Sequence, residues 1–439
     1  MSKKKKYCQV GIGSRSAMFL TALMDKYKET SELAGVCDIN LTRMNYQLNR
    51  HRSKYGYKEV KQYPHTEFEK MIDEQKPDTV IVTSMDRTHD DYICRAMEKG
   101  CDIISEKPMT TDEKKCRRIL ETAERTGRDL RVTFNYRYSP AATKVREIID
   151  SGDIGDVLSV NFEWLLDTKH GADYFRRWHR DKVNSGGLLV HKSTHHFDLV
   201  NWWTQNIPET VFAFGRLGFY GRENAEKRGV TRFYERAHGS EIAGKDPFAL
   251  HLEKDDNLKG LYLEAEHEDG YHRDQSVFGY NIGIEDSMSV NVRYRSGMLL
   301  SYSLNAHSPW EGLRVGFNGS RGRLEYVNRE NTYVSGAEDD INLAENRDTE
   351  KFEQGEGPEV VIHKHWKKPL RVKVEIPKGG HGGGDQRLLE DIFGDPKEDP
   401  YKRAAGKKDG ALSILTGIAA NRSIASGLPV EVDDLLKLN

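Results

Sequence analysis

Lys107, in the triplet Glu106-Lys107-Pro108, has the setting in this chain best suited to acid–base chemistry. A lysine in a partly dry pocket near a positive group has its ammonium destabilised, which brings its pKa toward a useful range. Pro108 fixes the backbone after it, and Glu106 is placed to hold a ligand or the lysine itself. Further on, His191, His195 and Asp198 recur at i, i+4 and i+7, a spacing that predicts one shared helix face. The two histidines also have the spacing of a helical metal pair. Lys192 beside them would repel a cation, and paired histidines are more often hydrogen-bonded than ligating, so no metal is expected.

Upstream stands a turn that could cradle a phosphate. Gly11-Ile12-Gly13-Ser14-Arg15-Ser16 follows a short apolar strand and matches Gly-x-Gly-x-x-Gly except at Ser16. The first glycine permits the tight turn, the second lets the backbone approach a pyrophosphate, and serine is small enough to replace the third. Asp38 follows the turn by about 25 residues, near the ~20 expected of a carboxylate that binds the ribose hydroxyls. A carboxylate there repels a 2′-phosphate, which favours NAD over NADP. Arg43 keeps NADP open, and a plain helix cap before Asn40 is the bland alternative for Asp38.

The elements that must position these groups follow from the apolar pattern. Residues 8–12, 33–37, 79–83, 102–105 and 130–134 read as strands, alternating with helical patterns at 18–27, 40–54, 89–99 and 111–126. That is a parallel βαβ domain over residues 1–135. Thr110 and Glu113 form a capping-box pattern, which places Lys107 between a strand's carboxyl end and a helix, the edge where open α/β sheets bind ligands. Over residues 136–439 the pattern shifts to an α+β domain with a mostly antiparallel open sheet, carrying strand patterns at 157–165, 287–294, 298–305, 313–318 and 322–326. Helices are expected at 140–151 and 188–203, with C-terminal helices near 383–427. Two long stretches, 218–283 and 334–368, show little pattern. Gly379-Gly380-His381-Gly382-Gly383-Gly384-Asp385 leaves its backbone free for close approach to a ligand, so His381 could reach a cleft; a flexible linker is the alternative.

Order and spacing of the glycine turn, Glu106-Lys107-Pro108 and the Gly186-to-Asp198 segment resemble the Gfo/Idh/MocA oxidoreductases, most clearly over the first two hundred or so residues. That resemblance implies hydride transfer between a nicotinamide and a secondary hydroxyl of a sugar, glycoside or cyclitol. It implies that Lys107 contacts the reacting hydroxyl beside the nicotinamide and that His195 is the general base. It also places Thr83, His89 and Asn135 at the cofactor, and Tyr136, Arg177 and Trp178 near the sugar. One position departs: the family motif has an aspartate where His191 stands, so His191 is expected to meet the substrate instead, with Asp198 on its face. Some members of the family eliminate or hydrolyse glycosides by transient oxidation with retained NAD, and that is the rival reaction. A non-catalytic sensor of NAD and sugar is a second rival, against which Lys107 and His195 count.

Bulk properties exclude other classes. With 67 basic and 69 acidic residues among 439, the net charge of −2 offers no field for nucleic acid or an anionic membrane. No stretch approaches the ~20 apolar residues of a membrane span. The five cysteines are clustered and include no Cys-x-x-Cys pair, which predicts reduced thiols and a cytoplasmic home. An α+β domain with helices on one face of its sheet should bury the other, apolar face against a copy, giving a homodimer or homotetramer.

Overall fold

The alternating runs of the first third fold into one parallel sheet. Strands β1 (Lys5–Val10), β2 (Ser31–Asp38), β3 (Lys61–Pro64), β4 (Thr79–Val82), β5 (Asp102–Ser105) and β6 (Leu130–Val132) lie in the order β6-β5-β4-β1-β2-β3. The computed structural model describes residues 4–334, 357–374, 383–396 and 398–438. Every residue of β4 is buried, as expected of a central parallel strand covered by helices on both faces. Of Lys61-Gln62-Tyr63-Pro64 only Tyr63 is buried, which is why this edge strand carries no apolar signature. The helix Leu41–Tyr55 starts at Asn40, whose side chain accepts from Arg43 N, and ends at left-handed Gly56.

One expected cap does not form. The helix after Pro108 is Glu113–Thr126, capped by Asp112 accepting from Lys115 N, while Thr110 is fully buried before it. Residues 107–111 are thereby left to the loop at the sheet edge, and the charged carboxylate of Asp112 takes over the orphan amide.

The second domain is built on a nine-stranded sheet. Its strands are β7 (Val157–Asp167), β8 (Pro208–Arg216), β9 (Ser287–Tyr294), β10 (Leu299–Ser308), β11 (Gly312–Gly319), β12 (Gly322–Arg329), β13 (Glu359–Lys364) and β14 (Leu370–Val372). Two late pairs of residues add β15 (Ala405–Gly406), which returns to the first sheet beside β6, and β16 (Val430–Glu431), which closes the second. The order is β14-β13-β12-β11-β7-β10-β9-β8-β16, antiparallel throughout except for β7 beside β10. Inward residues Met288, Val290, Val292 and Tyr294 belong to the main core, where Tyr294 donates to Asn201 of the helix Thr194–Thr204 at 3.0 Å and the helix Lys407–Ser426 packs against β8.

The open face of this sheet is mixed in character. It carries Ser289, Asn291, Arg293, Ser301 and Arg314. It also carries apolar groups: Phe212 and Phe214 stand opposite Asn291 and Ser289 with their rings 4.9 Å apart, and Phe214 and Leu299 are 67% and 54% exposed. This face is thus mixed, polar residues surrounding an exposed aromatic pair, rather than uniformly apolar. The segment 218–283 is also more ordered than its composition predicts. It is a string of short helical turns, of which Leu250, Leu252, Leu258, Leu261 and Tyr262 form a small core of their own. No helix among the described residues is long and apolar enough to cross a membrane, and all five cysteines are buried and unbridged.

Candidate active site

The carboxyl ends of β1, β4 and β5 converge on one edge. Gly11 has φ +84°, and a Cβ there would lie 2.4 Å from the backbone nitrogen of Ser84, so conformation and crowding both demand glycine. Thr83 Oγ1 donates to Gly11 O at 2.6 Å and locks the turn to the end of β4. Gly13 and Ser14 continue the turn, and a Cβ on Gly13 would meet nothing within 4 Å. Arg15 Nε meets Glu106 Oε1 at 2.8 Å, which ties the turn to the loop of Lys107. At the end of β2, Asp38 is buried and accepts from the backbone N–H groups of Ile12 and Asn40. Burial pushes its carboxyl pKa up, while Arg43 and those N–H groups pull it back.

Of two further expected cofactor contacts, one is engaged within the protein and the other keeps an unmet acceptor. His89 is buried, with Nδ1 at 2.8 Å from Pro108 O and Nε2 at 3.0 Å from Ser84 O. Its ring staples two loops together through both nitrogens. Asn135 donates from Nδ2 to Asp385 Oδ1 at 2.7 Å, whereas its Oδ1 is buried with no hydrogen-bond partner. An orphaned buried acceptor is costly unless a ligand satisfies it. Together with the locked glycine turn, it fits a dinucleotide whose carboxamide donates to Asn135.

The ammonium of Lys107 finds its partner in His191, not His195. Lys107 Nζ lies 3.3 Å from His191 Nε2 and 3.2 Å from His191 O. On the other side, His191 Nδ1 sits 2.5 Å from Asp86 Oδ2. His179 completes the group, its ring centroid 4.2 Å from that of His191 at 78° and stacked on Trp178. Burial pushes both histidines well below the usual imidazole pKa, and Lys107 and Arg177 add to this, so both rings are neutral. A neutral His191 then donates from Nδ1 to Asp86 and accepts the lysine at Nε2. Burial also brings Lys107 down to about 8, with Asp86 and Glu106 opposing the fall.

The single helix face expected over 188–203 is broken. The helix Leu188–His191 stops, and Thr194–Thr204 begins after Lys192 and Ser193. At this break the hydroxyls of Ser193 and Tyr302 share a hydrogen bond at 2.8 Å. His191 therefore turns to Lys107, whereas His195 packs 4.7 Å from the Tyr136 ring and 6.1 Å from the Phe134 ring. Asp198 leaves the site altogether. It is fully buried and accepts from Arg137 at 2.7 Å and 2.5 Å, so its expected substrate role gives way to a structural one. Arg177 pairs with Asp173 at 2.9 Å, and His381 lies outside the described residues.

Asp86 and His179 were not singled out from the sequence, although both lie in stretches read as site-forming. The usable signal was the missing aspartate at position 191, which calls for a carboxylate from elsewhere. Asp86, His179 and His191 offer ligand atoms within 4.8 Å of one another, the one such group among the described residues. Within that group Asp86 and His191 share a hydrogen bond, and the ammonium of Lys107 lies beside it.

A family model described as "Oxidoreductase family, NAD-binding Rossmann fold" matches residues 5–134, and its companion, "Oxidoreductase family, C-terminal alpha/beta domain", matches residues 146–432. The chain belongs to the Gfo/Idh/MocA oxidoreductases. Among its relatives, the Bacillus subtilis protein YteT is 35% identical over 449 residues, covering 98% of each chain. The D-glucoside 3-dehydrogenase of Escherichia coli is 28% identical over 271 residues, covering 62% of this chain and 67% of its own. The solved WlbA dehydrogenase of Bordetella pertussis, in complex with NADH and UDP-GlcNAcA, shares the fold over 100% of both chains, with a TM-score of 0.62 at 16% identity. As a Gfo/Idh/MocA oxidoreductase, this chain is similar to dehydrogenases that act on CH–OH groups.

Proposed function

We propose that this enzyme oxidises a secondary hydroxyl of a sugar, glycoside or cyclitol, with NAD as hydride acceptor and Lys107 as the acid–base group. The observation that carries this is the line Asp86–His191–Lys107 at the edge that also bears the glycine turn. Bound NAD would be held by Gly11, Gly13, Ser14, Arg15, Asp38 and Asn135, and it supplies the acceptor for hydride. The substrate hydroxyl gives its proton to Lys107 Nζ, whose orientation is fixed by its two contacts to His191. Tyr136 and Trp178 offer aromatic faces to the apolar side of a pyranose, and Arg177 suits hydroxyls or a carboxylate. His195 stands at the Tyr136 side as a second base. Five buried, unbridged thiols support a reducing, cytoplasmic setting.

The pH dependence has a definite sign. Only neutral Lys107 accepts a proton, so kcat/KM for alcohol oxidation should rise with pH and level off above about 8. Reduction of the ketone needs the ammonium and should fall over the same interval. Asp86 raises the Lys107 pKa through its charge, so Asp86→Asn should move the limb to lower pH. A limb that stays in place would show that the carboxylate is not coupled to the lysine. Exhaustive chelation should leave turnover intact; loss restored by zinc or manganese would install a metal on Asp86, His179 and His191.

One observation favours the rival reaction with recycled cofactor. His179 Nδ1 is buried without a hydrogen-bond partner, a neutral imidazole beyond what alcohol oxidation needs. Beside a ketone it could take the neighbouring C–H proton and start elimination of a glycosidic leaving group. Assay of the purified enzyme on a panel of sugars and glycosides decides between the two. NADH accumulating in step with ketone supports net oxidation, whereas aglycone release with no net NADH supports recycling.

A further inference from the structure

Segment 218–283 is seated on the Rossmann domain at the place that decides between the two nicotinamide dinucleotides. Glu268 lies over the start of the helix Leu41–Tyr55. Its two oxygens accept from Leu41 N at 2.6 Å, from Thr42 N at 2.9 Å and from Thr42 Oγ1. Next to it, Asp269 Oδ2 meets Arg43 Nη2 at 2.9 Å, and Arg43 Nε donates to Leu261 O at 2.9 Å. Asn40, the cap of this helix, donates from Nδ2 to Ala265 O at 2.7 Å. Gly260 lies flat on Tyr46, where a Cβ would come within 2.1 Å of the ring. Tyr46 OH and Arg50 reach back to Asp256 and Asn257, so the docking is continuous over two helical turns.

These contacts use up a set of groups with a particular affinity. A helix amino terminus just after the second strand, with an arginine nearby, is what a Rossmann domain offers to a 2′-phosphate. Such a phosphate carries about −1.5 to −2 charges at neutral pH and seeks N–H donors and a guanidinium. Here both kinds of donor are already taken by carboxylates from a different domain. Asp38 stands one turn of chain away and adds a third negative group, itself bound to Ile12 N and Asn40 N.

We propose that Glu268 and Asp269 exclude NADP, acting from outside the Rossmann domain and independently of Asp38; this rests on NAD being the cofactor. The inserted segment imitates the phosphate: Glu268 takes the helix amides and Asp269 takes the guanidinium. A 2′-phosphate would have to displace both carboxylates and would still face Asp38. Arg43, which in the sequence alone leaves NADP open, is thus turned into part of the barrier against it.

Equilibrium binding of NAD and NADP to the full chain tests this, with 5′-AMP and 2′,5′-ADP as fragment probes. Wild type should prefer NAD by more than tenfold. Glu268→Gln keeps the size and an acceptor but removes the charge, and Asp269→Asn releases Arg43. Each should tighten NADP and 2′,5′-ADP several-fold, and the pair together by tenfold or more, with NAD and 5′-AMP little changed. If both variants bind NAD normally while their NADP to NAD ratio equals that of wild type, the proposal falls and the NAD assignment stands. If wild type itself binds NADP as well as NAD, the NAD assignment falls. Should either variant lose its fold, the other decides, since the two act on different donors.

Discussion

Lys107→Ala is expected to fold, to bind NAD, and to turn over about 10²–10⁴-fold more slowly than wild type, the range that a positioned acid–base group contributes. That loss corresponds to about 3–5 kcal/mol of barrier at 1.36 kcal/mol for each factor of ten. Folding should survive because the substitution removes a destabilised ammonium rather than a group the core depends on. Cofactor binding should survive because the glycine turn, Asp38 and Asn135 are held by contacts that do not pass through Lys107. Lys107→Arg should not rescue the rate, since a guanidinium stays charged and cannot accept the hydroxyl proton. Stopped-flow and steady-state rates on the best substrate of the panel make the measurement. A folded Lys107→Ala enzyme at near-normal turnover would transfer the acid–base role to His195.

Asp198→Asn is expected to cost about 3 kcal/mol of stability, at the lower end of the ~3–5 kcal/mol found when one partner of a buried ion pair is removed. Arg137 is 2% exposed, and its guanidinium is matched by two oxygens of Asp198. Asp409 also meets Arg137, at 2.9 Å, but its side chain is 39% exposed, so it offers partial compensation in better solvated surroundings. Denaturant unfolding should show the loss with NAD affinity little changed. Replacing both Arg137 and Asp198 by apolar residues should recover much of it, because the penalty lies in the uncompensated charge. A large fall in kcat without a change in stability would return Asp198 to the substrate site.

The parallel half of the fold was legible because its strands are buried on both faces and its helices carry caps and glycine stops. Thr79–Val82 needs no context to be read as a central strand. The same holds for the alternation in Ser287–Tyr294. What escaped was what depends on distant partners. Asp86 and His191 are 105 residues apart, and neither residue type reveals the other. The helix break after His191 coincides with a contact between Ser193 and Tyr302, which no helical periodicity records. Glu268 lies 227 residues from Leu41, in a polar segment whose apolar residues are split between the main core and smaller clusters, so no periodic pattern marks it. Lys107 itself was legible, since the end of a central strand is a ligand edge in any such sheet. Its partner was not.

β15, only two residues long, has a consequence for how the chain is made. The first sheet is not finished by its own first six strands: Ala405–Gly406 must come back to cover β6. Phe393 must also arrive to pack 5.1 Å from Tyr7 and 5.7 Å from Tyr27. On the ribosome the cofactor domain emerges first, yet its edge strand stays bare until more than 250 further residues have been synthesised. At about 5–20 residues per second that interval lasts on the order of 15–60 seconds. An open edge and two uncovered tyrosines over such a time invite pairing with a neighbouring nascent chain. Slower translation and fewer chaperones should therefore lower the yield of folded enzyme, and chains truncated before residue 406 should aggregate.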